Sequence, residues 1–321
     1  MLKYIITGVL LVVLNSTFAC DVCGGASGLQ GVGFLPNSNF HFIGLSYKFN
    51  SFDTEHPKLF ETDPIIFGEN TYKTMELWGR YKVSDKFQVF GFVPYHSKRI
   101  KDEKIYELEG LGDISLLVNY QLLKRANFKM FLGAGLKMPT GKSNQIVQNV
   151  LVPNLQLGTG TFDGLVTTNL TYLKSEFGVN SELNYTLNTK SSSGYKFGNQ
   201  IDGSILGLYK KQFKKYMLIP QVGIKYYHKS KDITSVKYNI KEVHSGQSYL
   251  NIPIGLDFYT KKVGVRLLYE IPVAGEMSEG YVNPKANAKA QVLFIINKKQ
   301  KIKSNETNNK ILNLNPSSTS G

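Results

Sequence analysis

Between Gly110 and Met138 the sequence alternates twice with a period of two, and this limits the fold more than any other feature. In the first half Gly112, Ile114, Leu116, Val118, Tyr120 and Leu122 hold even positions. Asp113, Ser115, Asn119 and Gln121 hold odd ones, with Leu117 the apolar exception among them. The second half sets Phe128, Met130, Leu132, Ala134, Leu136 and Met138 against Lys129, Phe131, Gly133, Gly135 and Lys137. Side chains on a strand point to alternate faces, so each half is a strand with one apolar and one polar face. The four residues Lys124–Asn127 join the two as a hairpin.

The same dyad recurs along the chain and predicts twelve strands. They cover Phe40–Phe49, Tyr72–Val83, Lys86–Tyr95, Gly110–Leu123, Phe128–Met138, Gly160–Leu173, Glu176–Asn188, Tyr195–Lys210, Lys215–His228, Gly246–Tyr259, Lys262–Val273 and Lys285–Asn297. Connections alternate between long (Asn50–Thr71, Ser97–Glu109, Pro139–Thr159, Lys229–Ser245, Ala274–Pro284) and short (Ser84-Asp85, Lys124–Asn127, Lys174-Ser175, Thr260-Lys261). A sandwich mixes hairpins with crossovers, whereas a barrel of the bacterial outer membrane puts its tight turns at the periplasmic end and its long loops outside. Tilted strands of roughly 9–11 residues suffice to cross the apolar core of a bilayer. No water is available there, so a spanning sheet has to close on itself. The expectation is an all-β, transmembrane, antiparallel up-and-down β-barrel of about twelve strands, of the outer-membrane type. Ile114, Leu116, Val118, Leu250, Ile252, Ile254, Leu256, Val263, Val265 and Leu267 would face outer-membrane lipid. Tyr81, Tyr95, Tyr120, Tyr172, Tyr185 and Tyr226 would form aromatic girdles. A soluble barrel with its apolar face inward is the competing arrangement, and the charge on the opposite face argues against it.

Residues 1–19 read as an export signal: Lys3, an apolar stretch Tyr4–Leu14, then small residues ahead of Cys20. Residues 20–39 form a Gly-rich lead-in, 40–297 the barrel, and 298–321 a polar tail with the composition of a disordered segment. After position twenty no run of apolar residues is long enough for a membrane helix. The formal charge of +14 does not point to nucleic acid, because the lysines sit in turns and in the tail rather than in a stripe with interleaved aromatics. Lysines at membrane rims meet anionic lipid instead.

Several stretches resemble the outer-membrane barrel family named for the meta-pathway of phenol degradation. These are MELWGRYKVSDKFQVFGFVPY (Met75–Tyr95), GLGDISLLVNYQLL (Gly110–Leu123), GLKMPTGK (Gly135–Lys142) and GTGTFDGLVTTNLTY (Gly158–Tyr172). The resemblance implies a transporter-like barrel whose solute is usually unidentified. The opening Cys-Asp-Val-Cys-Gly is also similar to a subset of such barrels whose mature chain begins CDxCGC, with Gly25 here in place of the third cysteine.

On the polar faces, Glu76, Arg80, Lys82, Asp113, Asn119, Gln121, Lys137, Asn180, Glu182, Asn184, Asp202, Gln221, Lys225, Asp257, Arg266, Glu270, Lys289 and Gln291 are the lumen-lining candidates. They form either a polar path for a small solute or a salt-bridged interior packing of a barrel of intermediate size. Cys20 and Cys23 are spaced to form a disulfide or to hold a soft metal, two ligands being too few for a zinc site. Cys20 is alternatively a lipidation site. The lead-in is expected to enter the barrel as a plug that brings these sulfurs near the lumen. His228-x-Ser230 resembles the outer-membrane phospholipase family, in which His and Ser on one strand work with an Asn on its neighbour, but neither Asn239 in the following loop nor Asn251 on the opposite-facing set takes that place, and a plain rim histidine is the ordinary reading. Gly141-Lys142-Ser143 lacks the strand-to-helix setting of a phosphate loop. No cofactor pattern is legible, and the expectation is no enzyme. The chain reads as a conduit for a small molecule or as a structural or partner-binding membrane protein, with no expectation of oligomeric state.

Overall fold

The computed structural model describes residues 40–56, 66–101, 105–147, 150–151, 156–192, 194–233, 245–278 and 282–296. The expected signal, the lead-in with Cys20 and Cys23, and the polar tail lie outside the described residues. The barrel strands are β1 (His41–His56), β2 (Ile66–Lys82), β3 (Phe87–Lys101), β4 (Ile105–Leu111 continued as Ile114–Lys124), β5 (Phe128–Met138) and β6 (Asp163–Lys174). They continue with β7 (Phe177–Leu187), β8 (Gln200–Tyr209), β9 (Met217–Lys229), β10 (Gln247–Tyr259), β11 (Val263–Met277) and β12 (Val282–Ile296). Each strand pairs antiparallel with its neighbours in sequence, and β1 pairs with β12, Leu45 opposite Val292, to close the ring. Closure removes both sheet edges, leaving no unpaired ladder to face hydrocarbon.

The faces sort as the alternation demands. On β4, Leu116 and Val118 are 48% and 45% exposed, while Ser115, Leu117 and Asn119 are 1–4% exposed and point inward. Ile43, Leu45, Leu77, Leu132, Leu136, Leu183, Ile254 and Leu267 likewise stand on the outside. An apolar surface running round the whole ring is far larger than the patches a soluble monomer shows, so lipid is its solvent. Aromatic side chains cluster near the short turns: Phe87 packs on Tyr120 and Phe177 on Tyr209, each at 5.0 Å between ring centroids, and Phe213 stacks on Tyr216 at 4.5 Å.

The short turns carry their own hydrogen bonds. The Ser84 hydroxyl accepts from the N–H groups of Lys86 and Phe87, and the Thr260 hydroxyl accepts from those of Lys262 and Val263. Ser175 adopts φ 55° in the tight β6–β7 turn.

At the opposite, outer end the strands run further than the alternation predicts. Within the expected loop Ser97–Glu109, Tyr95–Lys101 pairs with Ile105–Leu111, and β1, β2, β11 and β12 extend in the same way. Arg99, Glu107 and Glu109 share the outer face there, which stands in water, while Lys98 points inward and is buried. The expected start of the eighth strand at Tyr195 moves to Gln200, since Lys196 makes only isolated bridges to Lys190 and Ile233.

Candidate functional site: the barrel interior

Inward-facing apolar side chains form a collar nearer the turn end. Phe40, Phe42, Trp78, Phe90, Phe92, Leu117, Leu165, Leu208, Ile219, Tyr259 and Leu293 make one buried cluster. Trp78 stacks on Phe92 at 6.1 Å and meets Phe42 edge-on at 4.7 Å. The close approach needs Gly44: a Cβ there would lie 2.7 Å from Leu293 Cδ2 and 3.1 Å from the Trp78 indole nitrogen. Arg80 sits in this collar, its guanidinium 4.6 Å from the Phe40 ring centre and donating to the Phe40 carbonyl at 2.7 Å. Beyond the collar, a cavity of about 300 Å³ opens at the periplasmic mouth, lined by Phe40, Tyr216, Met217 and Tyr259 with Lys214, Lys215 and Lys261.

The wall formed by β8–β11 is ionic. Lys225 Nζ lies 2.8 Å from Glu270 and 3.4 Å from Asp202, and Asn251 donates to the other Glu270 oxygen at 3.0 Å. Arg266 Nε meets Asp257 Oδ2 at 3.0 Å, and Gln221 donates to Asp257 Oδ1 at 2.9 Å. With Glu182, Lys289 and Gln291 these groups line an interior cavity of about 50 Å³. On β6 and β7, Asn180 bonds to Thr171 at 2.9 Å and Asn184 to Glu182 at 3.4 Å. Buried charges are costly unless paired, and each member of the Lys225 and Arg266 groups has an opposite charge in reach.

A third cluster sits near the outer end. β4 breaks at Gly112-Asp113, and the Asp113 carboxylate accepts from the N–H groups of Gly141 (3.0 Å) and Thr159 (2.7 Å). The Thr159 hydroxyl lies 2.9 Å from both Asp113 and Asp163. Asp163 also accepts from the Thr161 hydroxyl and the Thr189 N–H at 2.8 Å each, and pairs with Lys137 at 2.9 Å. Lys98 Nζ donates to the Gln156 carbonyl, drawing the β5–β6 connection against the inside of β3. The Gly-Leu-Gly-Asp, Pro-Thr-Gly and Gly-Thr-Gly stretches therefore meet in one knot that fastens this connection to the barrel.

The structure buries Glu76, Arg80, Asp113, Asn119, Gln121, Asn180, Glu182, Asp202, Lys225, Asp257, Arg266 and Glu270, all directed inward. It brings Asp202, Lys225, Asp257, Arg266 and Glu270 together. Asn119 instead faces Thr167 across Gly133, where a Cβ would strike both side chains. Lys82 is at the mouth, bonded to Asp85 of the turn, and Asp113 serves the knot rather than a path. Neither Glu76 carboxylate oxygen has a hydrogen-bond partner among the described residues. Sequence reasoning missed the apolar collar, although Trp78 shares the parity of Glu76 and Arg80.

His228 and Ser230 do not assemble as base and nucleophile. His228 Nδ1 lies 2.7 Å from the Ser248 hydroxyl, while the Ser230 hydroxyl is 3.4 Å from the Asn199 carbonyl. Asn251 faces the interior, where it bonds to Glu270, and Asn239 lies outside the described residues.

No curated protein matches the chain. Among solved structures it is similar to an outer membrane channel from Pseudomonas putida F1. That match has a TM-score of 0.60 and 13% identity, and covers 83% of this chain and 98% of the other. It is also similar to the β domain of the Bordetella autotransporter BrkA, with a TM-score of 0.49 and 8% identity, covering 79% and 98%. The first establishes the outer-membrane barrel fold, and the apolar exterior places that barrel in the outer membrane. The profile of one family matches residues 62–264, more than half of the sequence. The chain belongs to the family described as "Putative MetA-pathway of phenol degradation".

Proposed function

We propose that this barrel passes a small organic solute across the outer membrane, the channel role by which the P. putida barrel is named. The observation that carries this reading is the division of the interior. One wall holds two groups of ion pairs, around Lys225 and around Arg266, beside a cavity, and a collar of aromatic and aliphatic side chains lines the interior toward the turn end. A lumen needed only to fill a ring would be served better by apolar packing, since burying ion pairs gains little stability over hydrophobic residues of the same volume. An amphipathic solute would meet a polar partner on one side and an apolar surface on the other.

The test is uptake by liposomes reconstituted with the full chain, using small aromatic acids, sugars and metal ions. Uptake of at least one class above protein-free vesicles, increased when Phe90 and Phe92 are changed to Ala, is the expected result. No uptake and no single-channel conductance in either protein would leave a structural membrane protein and overturn the conduit.

A further inference from the structure

The β8–β9 turn is braced so that two lysines stand at its tip. Lys211 and Gln212 pair with Leu218 and Met217, and the Phe213 N–H donates to the Tyr216 carbonyl at 2.8 Å. The Phe213 and Tyr216 rings stack across the turn, and Tyr216 leans on Phe258 of β10 at 5.5 Å between centroids. Lys214 and Lys215 are left exposed, and the neighbouring β10–β11 turn adds the exposed Lys261. All three line the cavity of about 300 Å³ at the periplasmic mouth, whose apolar lining is Phe40, Tyr216, Met217, Tyr259 and Ile295. Among the described residues that line it there is no carboxylate. Its two other polar members are used within their own turns. The Gln212 amide donates to the Phe213 and Tyr216 carbonyls, and the Thr260 hydroxyl to the Val263 carbonyl. The acids of the nearby turns, Asp85 and Glu176, pair with Lys82 and Lys211 instead of with these three lysines. Arg80, 4.6 Å behind the Phe40 ring centre, adds a further positive charge to that wall. A concave mouth with cations at its rim and low-dielectric walls concentrates anions, and an aromatic lining with a few polar groups suits a flat apolar body.

We propose that this vestibule binds a small aromatic acid, its anionic group held by Lys214, Lys215 and Lys261 and its ring against Phe40, Tyr216 and Met217. The mouth thus favours anions over neutral or cationic molecules of the same size. Its place on a transport route rests on the conduit reading, while occupancy is measured separately.

The probe is sodium benzoate, with benzamide and benzyltrimethylammonium as neutral and cationic counterparts at matched ionic strength. The first readout is amine acetylation of the full chain in detergent, resolved lysine by lysine by mass spectrometry. Benzoate alone is expected to slow Lys214, Lys215 and Lys261 about threefold or more, while Lys86 and Lys124, on turns outside the cavity, react as before. The second is equilibrium dialysis, in which benzoate should bind about tenfold or more tightly than benzamide. Lys214→Gln, Lys215→Gln and Lys261→Gln together should remove that margin, and Arg at the same three positions should keep benzoate affinity within about threefold. Heat-modified gel migration reports whether each variant is a folded barrel, and the acetylation pattern of the unaltered chain decides if one is not. Equal slowing at all five lysines, or benzoate affinity unchanged without the three charges, would overturn the proposal. Failure of the conduit has a different signature: benzoate protects the three lysines, yet neither benzoate nor benzamide enters liposomes.

Discussion

The two inner walls of this barrel solve the same problem by opposite means. Along β1–β4, nearer the turn end, the interior carries the bulk of the apolar collar, Phe42, Trp78, Phe90, Phe92 and Leu117, which pack by shape and hold one another through many weak contacts. Along β8–β11 it is filled by Asp202, Lys225, Asp257, Arg266 and Glu270, each dependent on a named partner. An apolar wall loses stability in proportion to what is removed, while an ionic group fails as a unit, because deleting one member strands its direct partners. On the proposed conduit reading, the collar is the part expected to yield to a solute and the ionic wall the part expected to keep its shape.

The largest effect is expected from Lys225→Met. It leaves Asp202 and Glu270 without their shared cation and should cost about 3–5 kcal/mol in urea unfolding from lipid vesicles, followed by the fluorescence of the single tryptophan. Adding Asp202→Asn and Glu270→Gln should recover most of that loss, and no recovery would show that the group is not a unit. Phe92→Ala should cost less, about 2–3 kcal/mol, because water can enter the space left, and it should raise single-channel conductance. A fall in conductance would take the collar out of the permeation route.

A third effect sits at the outer knot and bears on neither wall. Asp113→Asn weakens the charge-assisted bonds from Gly141 and Thr159, with a loss of about 1–2 kcal/mol, and should open the β5–β6 connection to protease before the barrel itself. The smallest is at the periplasmic turn. There the Tyr209 hydroxyl, and then Lys211, hold the Glu176 carboxyl below its ordinary value of 4.5. Its contribution is present above pH 4.5 and is lost as pH falls through the lowered value. Glu176→Gln should flatten the acid side of the stability profile without changing conductance.

The sequence made the strands, their faces and the tight turns legible wherever one face is oily and the other wet, as in Ile114–Met138. It underestimated the strands beyond the bilayer, because Arg99, Glu107 and Glu109 put charge on the outer face there and leave no apolar stripe to read. The apolar collar was hidden for a related reason. On β3, Phe90 and Phe92 face inward while Val89 and Val93 face lipid, so both faces are apolar and parity decides nothing. Leu117, the exception noticed in its strand, is one of the collar residues. The charged wall was readable residue by residue, but its pairings were not, since Lys225 and Glu270 are brought together only by the ordering of β9, β10 and β11. The meeting of three glycine-rich stretches at Asp113 likewise depends on loops that the alternation leaves blank.

The most direct test of the central claim is the collision of lipid-dissolved oxygen with spin labels on β4 in vesicles, using Ser115→Cys, Leu116→Cys, Val118→Cys and Asn119→Cys in a background lacking Cys20 and Cys23. Labels at 116 and 118 should collide freely with oxygen, while those at 115 and 119 should be shielded from lipid. Lipid contact at 115 and 119, with 116 and 118 shielded, would contradict the account.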